Sequence, residues 1–467
     1  MENMILFNEV AIIDRNSEYR GVPPLQLMEN AGKALAEELK SRFNDYKFLF
    51  ICGTGNNGGD GYVAARYLPK DRSKVFLIKG KKGVRSPVAR ENLDKIEYGV
   101  IQKLDWKRSK GYVIVDGLLG TGISGQVREP YRSLIQRINE EQIPVVSIDV
   151  PSGLGSDVAV KPEVTVTFHD IKEGMNKENC GEIIVKDIGV PSKAVRYTGP
   201  GELSLYPLPE KSAHKGQNGR LLVIGGGPYT GAPSLAAQAA YRTGADLVHI
   251  AVPSRIAPIV AGYDPQFIVH PLKGEILLPA HLEILLELTK KCDAVVLGPG
   301  MGKDEDSLEL IRRLTENIAL PKVIDADALS IVGKSSIAGE AVLTPHKKEL
   351  TMITGEDNLS TEGVDRLALE KGAAVVLKGK EDYITDGKRS KHNDFGSPTM
   401  TVGGTGDTLA GVIGALLAKG LGSFDAARLG TYITSRAGEL AFLCSGWGTL
   451  PEDIKEQIPR VLDPFEE

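Results

Sequence analysis

The sequence predicts an α/β protein made of two successive domains, each built on a mainly parallel sheet. Three observations carry that expectation. Short continuous apolar runs recur at 48–52, 74–78, 112–115 and 144–148, and again at 220–224, 247–252, 294–297, 322–324, 341–343 and 374–377. Runs without polar alternation belong to strands buried on both faces, the situation in a parallel sheet covered by helices. Helix-forming stretches separate them, such as LQLMENAGKALAEELK at 25–40 and the alanine-rich 234–243. Between 191 and 212, four prolines and the loss of any apolar period break the rhythm. The expected domains are therefore 1–205 and 206–467.

Composition agrees. A chain of 467 residues has room for about two to four domains. Its 42% apolar content suffices for a core. The balance of 56 basic and 61 acidic residues, net charge −5, excludes a strongly basic nucleic-acid binder. Aromatics at 6% do not suggest base-stacking platforms. No run of 18 apolar residues marks a membrane span, and MENMILFNEVAIID does not read as a signal peptide. Cys52, Cys180, Cys292 and Cys444 form no CxxC pair. They are expected to be reduced thiols in a cytoplasmic protein, with long-range disulfides left open by the arithmetic.

In the first domain the chemistry gathers where strands end. The run at 48–52 leads into Gly53-Thr54-Gly55-Asn56-Asn57-Gly58-Gly59-Asp60-Gly61, a glycine-rich turn that brings backbone N–H groups near an anionic ligand. Asn56, Asn57 and Asp60 add side-chain oxygens to the same turn. The run at 112–115 ends in Asp116-Gly117-Leu118-Leu119-Gly120-Thr121-Gly122, and that at 144–148 in Asp149-Val150-Pro151-Ser152-Gly153. For each cluster alone, capping and tight turning remain the alternative. Three of them on successive strands converge on one carboxyl edge, where open α/β sheets bind ligands. Carboxylates there accept protons or hold a hard cation.

The second half repeats the logic with other motifs. Gly225-Gly226-Gly227 follows the strand 220–224, with Gly231 and Ala232 close behind. LGPGMG (297–302), DADAL (325–329), Thr344-Pro345-His346 and Lys378-Gly379 each close a strand. Gly403-Gly404-Thr405-Gly406-Asp407 opens a long apolar helix, and helices are expected from there to the end. Glycines at a helix start expose N–H groups and the positive dipole end to phosphates, while an Asp just inside can take a proton from an attacking hydroxyl. Phosphoryl transfer needs that pairing. A dipole-favoured Asp without catalytic work explains the same spacing, and His346 after Thr-Pro reads more readily as a local backbone cap.

LMENAG (27–32), GNNGGDG (55–61), the segment 116–122 and DVPSG (149–153) resemble the YjeF N-terminal domain of NAD(P)H-hydrate epimerases, a Rossmann-like three-layer α/β/α domain. The resemblance implies that Asn56, Asn57, Gly58, Gly59 and Asp60 contact the damaged dinucleotide with Gly120, Thr121, Gly122, Ile123, Ser124, Gly125 and Gln126. It assigns Asn57, Asp116 and Ser152 to a potassium ion and Asp149 to proton transfer beside the nicotinamide ring. HKGQNGR (214–220), LGPGMG, DADAL, TPH, LKG and GGTGDTLAG stand in the order of the YjeF C-terminal domain, the ribokinase-like ADP- or ATP-dependent NAD(P)H-hydrate dehydratase. By that resemblance Asp407 is the catalytic base, and Ala232, Gly302 and His346 line the hydrate pocket. Lys378, Gly379, Lys380, Glu381 and Asp382 would hold the adenine nucleotide with Gly396, Gly403, Gly404, Thr405 and Gly406. Two departures from the family pattern stand out, Lys347-Lys348 after TPH and Asp382 where threonine is common.

The implied substrates are NADHX and NADPHX with ADP or ATP, magnesium accompanies the nucleotide, and a homo-oligomer is expected. GGTGD also suits a ribokinase-like kinase that releases a phosphorylated product, and a domain of the first type can serve as a non-catalytic scaffold. LGPGMG with TPH, and the retained Asn57, Asp116 and Asp149, favour the repair chemistry.

Overall fold

The computed structural model describes residues 4–106, 111–122, 125–357 and 359–463. The chain forms two compact units, Met1–Val195 and Arg196–Glu467. Residues after Val195 join the second unit through specific contacts. Thr198 N–H donates to the His392 carbonyl at 2.8 Å, and the Thr198 hydroxyl donates to Asn393 Oδ1 at 2.8 Å.

The first unit holds seven strands: β1 Lys47–Cys52, β2 Ser73–Leu77, β3 Val100–Ile101, β4 Tyr112–Gly117, β5 Val145–Ile148, β6 Val164–Phe168 and β7 Glu182–Lys186. They form one sheet in the order β3-β2-β1-β4-β5-β6-β7, all neighbours parallel. The strand order reverses between β1 and β4, so the loops that follow these two strands part to opposite faces and open a crevice. Both sheet faces carry apolar clusters. One buries Leu35, Phe48, Phe50, Tyr62 and Val115 under the helices Pro24–Arg42 and Asn56–Tyr67. The other buries Ile51, Ile114, Ile135 and Ile138 under Tyr131–Glu140. The result is a three-layer α/β/α unit.

The second unit holds nine strands: β8 Arg220–Ile224, β9 Leu247–Pro253, β10 Ile268–Leu272, β11 Ala294–Leu297, β12 Lys322–Ile324, β13 Ala341–Leu343, β14 Ala374–Leu377, β15 Asp382–Thr385 and β16 Ser390–Asn393. Their order is β10-β9-β8-β11-β12-β13-β14-β15-β16. The sheet is parallel through β14, and β15 and β16 add on antiparallel. The apolar helices Thr405–Ala418 and Ser423–Ser445 cover one face with Gly231–Arg242. Glu305–Asn317, Lys347–Thr354 and Thr361–Lys371 cover the other. Helix Thr405–Ala418 is apolar on nearly all sides because it is clamped between the sheet and other helices. A Cβ on Gly411 would lie 2.0 Å from the Ala236 carbonyl oxygen.

Candidate active sites

In the first unit the ends of β1, β4 and β5 meet. Gly53 and Gly58 use their missing side chains for packing. A Cβ on Gly53 would fall 1.8 Å from the Leu118 carbonyl oxygen, and one on Gly58 would fall 2.7 Å from that of Gly53. Gly55 meets open space and is the residue before the helix Asn56–Tyr67. The turn therefore locks two loops together while presenting the helix start to the crevice.

Asp116 is fully buried. Its carboxylate accepts from the Ser147 hydroxyl at 2.9 Å, the Ser152 hydroxyl at 2.5 Å, Ser152 N–H at 2.9 Å and Leu118 N–H at 3.3 Å. Burial raises its pKa, and these donors oppose the rise. Asn57 Nδ2 donates to the Leu119 carbonyl at 2.9 Å, whereas its buried Oδ1 has no hydrogen-bond partner among the described residues. The Ser152 hydroxyl also lies 3.2 Å from the Leu119 carbonyl oxygen. An orphaned amide oxygen beside a buried carboxylate, a hydroxyl and a carbonyl is an oxygen set that suits a large monovalent cation.

A cavity of about 520 Å³ opens beside this cluster. Asn56, Asn57, Asp60, Gly120, Thr121, Gly122 and Asp149 line it. Gly58 and Gly59 are buried in the helix behind it, Gly125 and Gln126 follow in the loop without lining it, and Ile123 and Ser124 lie outside the described residues. Asp149 takes φ of +61°, a left-handed conformation that a residue with a side chain adopts at a cost of order 1 kcal/mol. That turn sets the carboxylate against the Lys172 ammonium and within 3.2 Å of the Thr167 hydroxyl and Phe168 N–H. Lys172 is 3% exposed and completes its donors with Thr167 Oγ1 at 2.9 Å and the Phe168 carbonyl at 2.6 Å. Two wall residues escaped the sequence reading, Asp14 and Lys172. Burial and the Asp149 charge push the Asp14 carboxyl up to about 6, and Lys172 opposes them. Burial pushes Asp60 well above the carboxylate range, with Asp149 and Asp14 adding to it.

In the second unit the motifs converge at the carboxyl edge. The two glycine loops interlock: Gly226 N–H donates to the Pro299 carbonyl at 2.8 Å, and a Cβ on Gly300 would meet Ala232 Cβ at 3.0 Å. Gly302 N–H donates to Asp327 Oδ2 at 3.0 Å. Asp325 is buried and accepts at Oδ1 from the Thr344 hydroxyl at 2.6 Å and from Lys378 Nζ at 3.2 Å. Gly404, with φ of +101°, turns the chain into the helix that begins at Thr405. Gly406 is a glycine at close approach, since a Cβ there would lie 3.3 Å from Lys378 Nζ and 3.9 Å from Asp325 Oδ2. Asp407 follows in the first turn. Burial pushes its carboxyl up to about 7, with Asp325 and Asp327 raising it and Lys378 lowering it.

His346 is exposed, and its Nδ1 accepts from Lys348 N–H at 3.1 Å and Glu349 N–H at 3.2 Å, so it caps the helix Lys347–Thr354. Lys378, Gly379, Lys380 and Glu381 form the turn from β14 to β15, and Asp382 opens β15. Asp382 accepts Gly379 N–H at 3.0 Å and Asn393 Nδ2 at 3.0 Å. Glu381 pairs with His392 at 2.8 Å. A cavity of about 320 Å³ lies beside this turn, lined by Lys347, Thr351, Lys378, Gly379 and Glu381 among others. Gly396, at φ +121°, donates its N–H to Glu439 at 3.1 Å, and Gly403 has open space on its side.

Family models agree with this division. One described as YjeF-related protein N-terminus matches residues 24–174, and one described as NAD(P)H-hydrate dehydratase matches 221–460. Two relatives named bifunctional NAD(P)H-hydrate repair enzyme Nnr are each 39% identical. That of Archaeoglobus fulgidus aligns over 97% of both chains, and that of Methanothermobacter thermautotrophicus over 98% of this chain and 95% of its own. Among solved structures, a ribokinase-like superfamily protein of Enterococcus faecalis superposes with a TM-score of 0.53 at 23% identity, covering 57% of this chain and 95% of that one. The ADP/ATP-dependent NAD(P)H-hydrate dehydratase of Bacillus subtilis, co-crystallised with ATP/Mg2+, gives 0.50 at 23%, covering 57% and 97%. The second unit thus has the ribokinase-like fold. Matched along nearly its whole length by relatives of the same two-part design, the chain belongs to the family of bifunctional NAD(P)H-hydrate repair enzymes.

Proposed function

We propose that this chain repairs hydrated nicotinamide dinucleotides, its first unit interconverting the R and S hydrates and its second dehydrating the S form. The hydrate carries a hydroxyl on ring carbon C6, beside ring nitrogen N1. In the second unit Asp407 takes the proton of that hydroxyl as its oxygen attacks the terminal phosphorus of ADP or ATP. The C6 oxygen–phosphorus bond forms and the nucleotide leaves one phosphate shorter. Phosphate then departs from C6 with the C6–O electron pair as C5 loses its proton to water, which restores the C5–C6 double bond and releases inorganic phosphate. The observation that carries this reading is Asp407 at the start of an apolar helix, with its carboxyl held near neutrality beside Lys378 and Asp325. A base with pKa near the working pH is the effective kind.

The glycines Gly403, Gly404 and Gly406, with Thr405, offer a helix start for the nucleotide phosphates. The turn Lys378, Gly379, Lys380, Glu381 and Asp382, together with Gly396, forms the rest of that site, and magnesium bound with the phosphates supplies charge neutralisation. Ala232, Gly302 and His346 line the hydrate side. In the first unit Asn56, Asn57, Gly58, Gly59 and Asp60 and the loop from Gly120 to Gln126 hold the hydrate against Asp149. Asn57, Asp116 and Ser152 hold potassium, which supplies a fixed positive charge at the ligand loops. The unpartnered Asn57 oxygen supports this assignment. All four cysteines are unbonded, which supports the reducing cytoplasm as the compartment.

The test is to incubate a mixture of R and S hydrates with ADP and with ATP in turn. Complete return of the reduced-nicotinamide absorbance, with inorganic phosphate released in equal amount, is expected. A stable phosphorylated hydrate, or a reaction that stops when the S form is exhausted, overturns it.

A further inference from the structure

Helix Phe7–Tyr19 lies outside the segment 24–174 matched by the family model, yet it forms one wall of the first unit's cavity. Phe7, Val10, Ala11 and Asp14 line that wall. Their spacing of three, four and seven places them on one helix face. Three are apolar and the fourth is a carboxylic acid. Among the described residues no hydrogen bond or ion pair reaches the Asp14 carboxyl. An acid group on an apolar face with no hydrogen-bond partner among the described residues is open to a ligand.

The position of this helix is tied to the catalytic edge. Ile5 pairs with Lys172 as a short parallel bridge. Ile5 N–H donates to the Ile171 carbonyl at 2.9 Å, and Glu173 N–H donates to the Ile5 carbonyl at 2.8 Å. The segment that carries Lys172 onto Asp149 therefore also anchors the helix that carries Asp14. Asp149 spends only Oδ1 on Lys172, Thr167 and Phe168, and its Oδ2 is uncommitted among the described residues. Two walls of one cavity, a helix and a sheet edge, thus each offer it a carboxyl oxygen.

We propose that Asp14 is the second proton-transfer residue of the epimerase site, acting with Asp149 on the C6 hydroxyl of the hydrate. The proposal rests on the reading of this unit as an epimerase. Inversion at C6 needs an acid and a base. The hydroxyl takes the Asp14 proton, the C6–O bond breaks, water departs, and the N1 lone pair forms a C6=N1 double bond. Water then adds to the other face of C6, the electron pair returns to N1, and the proton released goes to the Asp149 carboxylate. Exchange with solvent restores the starting protonation, and the reverse passage swaps the roles. Below about pH 6 Asp14 keeps the proton this step donates, and across the cavity the Lys172 ammonium sits against Asp149. The other titratable groups lining the cavity are Asp60, Tyr131, His169 and Lys172.

The experiment uses the full chain and follows R-to-S conversion above the uncatalysed rate. Asp14→Asn is expected to lower kcat by about 10²–10⁴-fold, as removal of a general acid does. KM should change little, and the fall of the wild-type rate as pH rises through about 6 should vanish. Asp14→Glu restores part of the rate together with a pH limb. Asp14→Asn within threefold of wild type at every pH overturns the role, as does equal loss in both variants with the wild-type pH profile retained. A wild-type chain that does not interconvert the hydrates sinks the epimerase reading itself, whereas an active wild type with an equally active Asp14→Asn sinks this role alone.

Discussion

The Lys172 ammonium closes on Oδ1 of Asp149, and among the described residues Oδ2 of the same carboxylate is uncommitted. The lysine is almost wholly buried and its remaining donors go to Thr167 and Phe168. It therefore fixes the carboxylate in place and leaves one oxygen for the ligand. Lys172→Met leaves that charge unpaired in a half-buried site, at a cost of about 3 kcal/mol in stability. It also removes the positive charge that lowers Asp14. The epimerase pH profile is expected to move to higher pH, with a rate loss of about 10². Chemical unfolding and a pH series on R-hydrate conversion check both effects, and an unshifted profile counts against the arrangement.

Lys378 has the corresponding place in the second unit. It lies 3.2 Å from Asp325 and lowers the pKa of Asp407. Without it, Asp407 binds its proton more tightly. Lys378→Met is expected to push the rising limb of S-hydrate dehydration above pH 7, because the active form is the carboxylate. The nucleotide KM should rise as well. A pH series at saturating ADP or ATP measures the first effect and a nucleotide titration the second.

Asn57 Oδ1 makes the cation assignment testable without an activity assay. A bound ion stabilises the folded state by mass action. The melting midpoint of the wild type is expected to rise with potassium concentration more than with tetramethylammonium at equal ionic strength. Asn57→Ala should abolish the difference and slow epimerisation about tenfold or more. Equal responses of the two proteins to potassium contradict the assignment.

Gly53 tests whether the motif glycine serves loop packing. A Cβ there falls 1.8 Å from the Leu118 carbonyl oxygen, a backbone atom that cannot swing away. Gly53→Ala is expected to cost about 3 kcal/mol and to reduce epimerisation while leaving S-hydrate dehydration intact. Thermal unfolding and the two separate assays read the result.

Much of this was legible in the sequence because parallel strands advertise themselves. Apolar runs such as AVVL at 294–297 and 374–377 are buried on both faces, and the glycine, Asp and Asn clusters follow where such strands end. Strand β6, VTVTF, was not legible, since its alternating threonines look half-exposed. They are buried all the same, because Thr165 donates to the Cys180 carbonyl at 2.7 Å and Thr167 joins the Asp149–Lys172 group. Asp14 and Lys172 carry no motif. They reach the cavity through the long-range pairing of Ile5 with Lys172, which no local pattern reveals. An Asp within a helix that is otherwise apolar on the same face was the available signal for Asp14. His346 shows the converse, a motif residue whose ring nitrogen is committed to capping a helix.

The most direct measurement follows the S hydrate with ADP or ATP, recording reduced-nicotinamide absorbance and inorganic phosphate together, for the wild type and Asp407→Asn through neutral pH. The wild type should regain the absorbance with matching phosphate, at a rate that climbs as pH passes about 7. Asp407→Asn should be slower by about 10²–10⁴-fold and flat with pH. A variant as fast as the wild type, or absorbance that stays lost while a phosphorylated hydrate accumulates, would contradict Asp407 as the base of a dehydration.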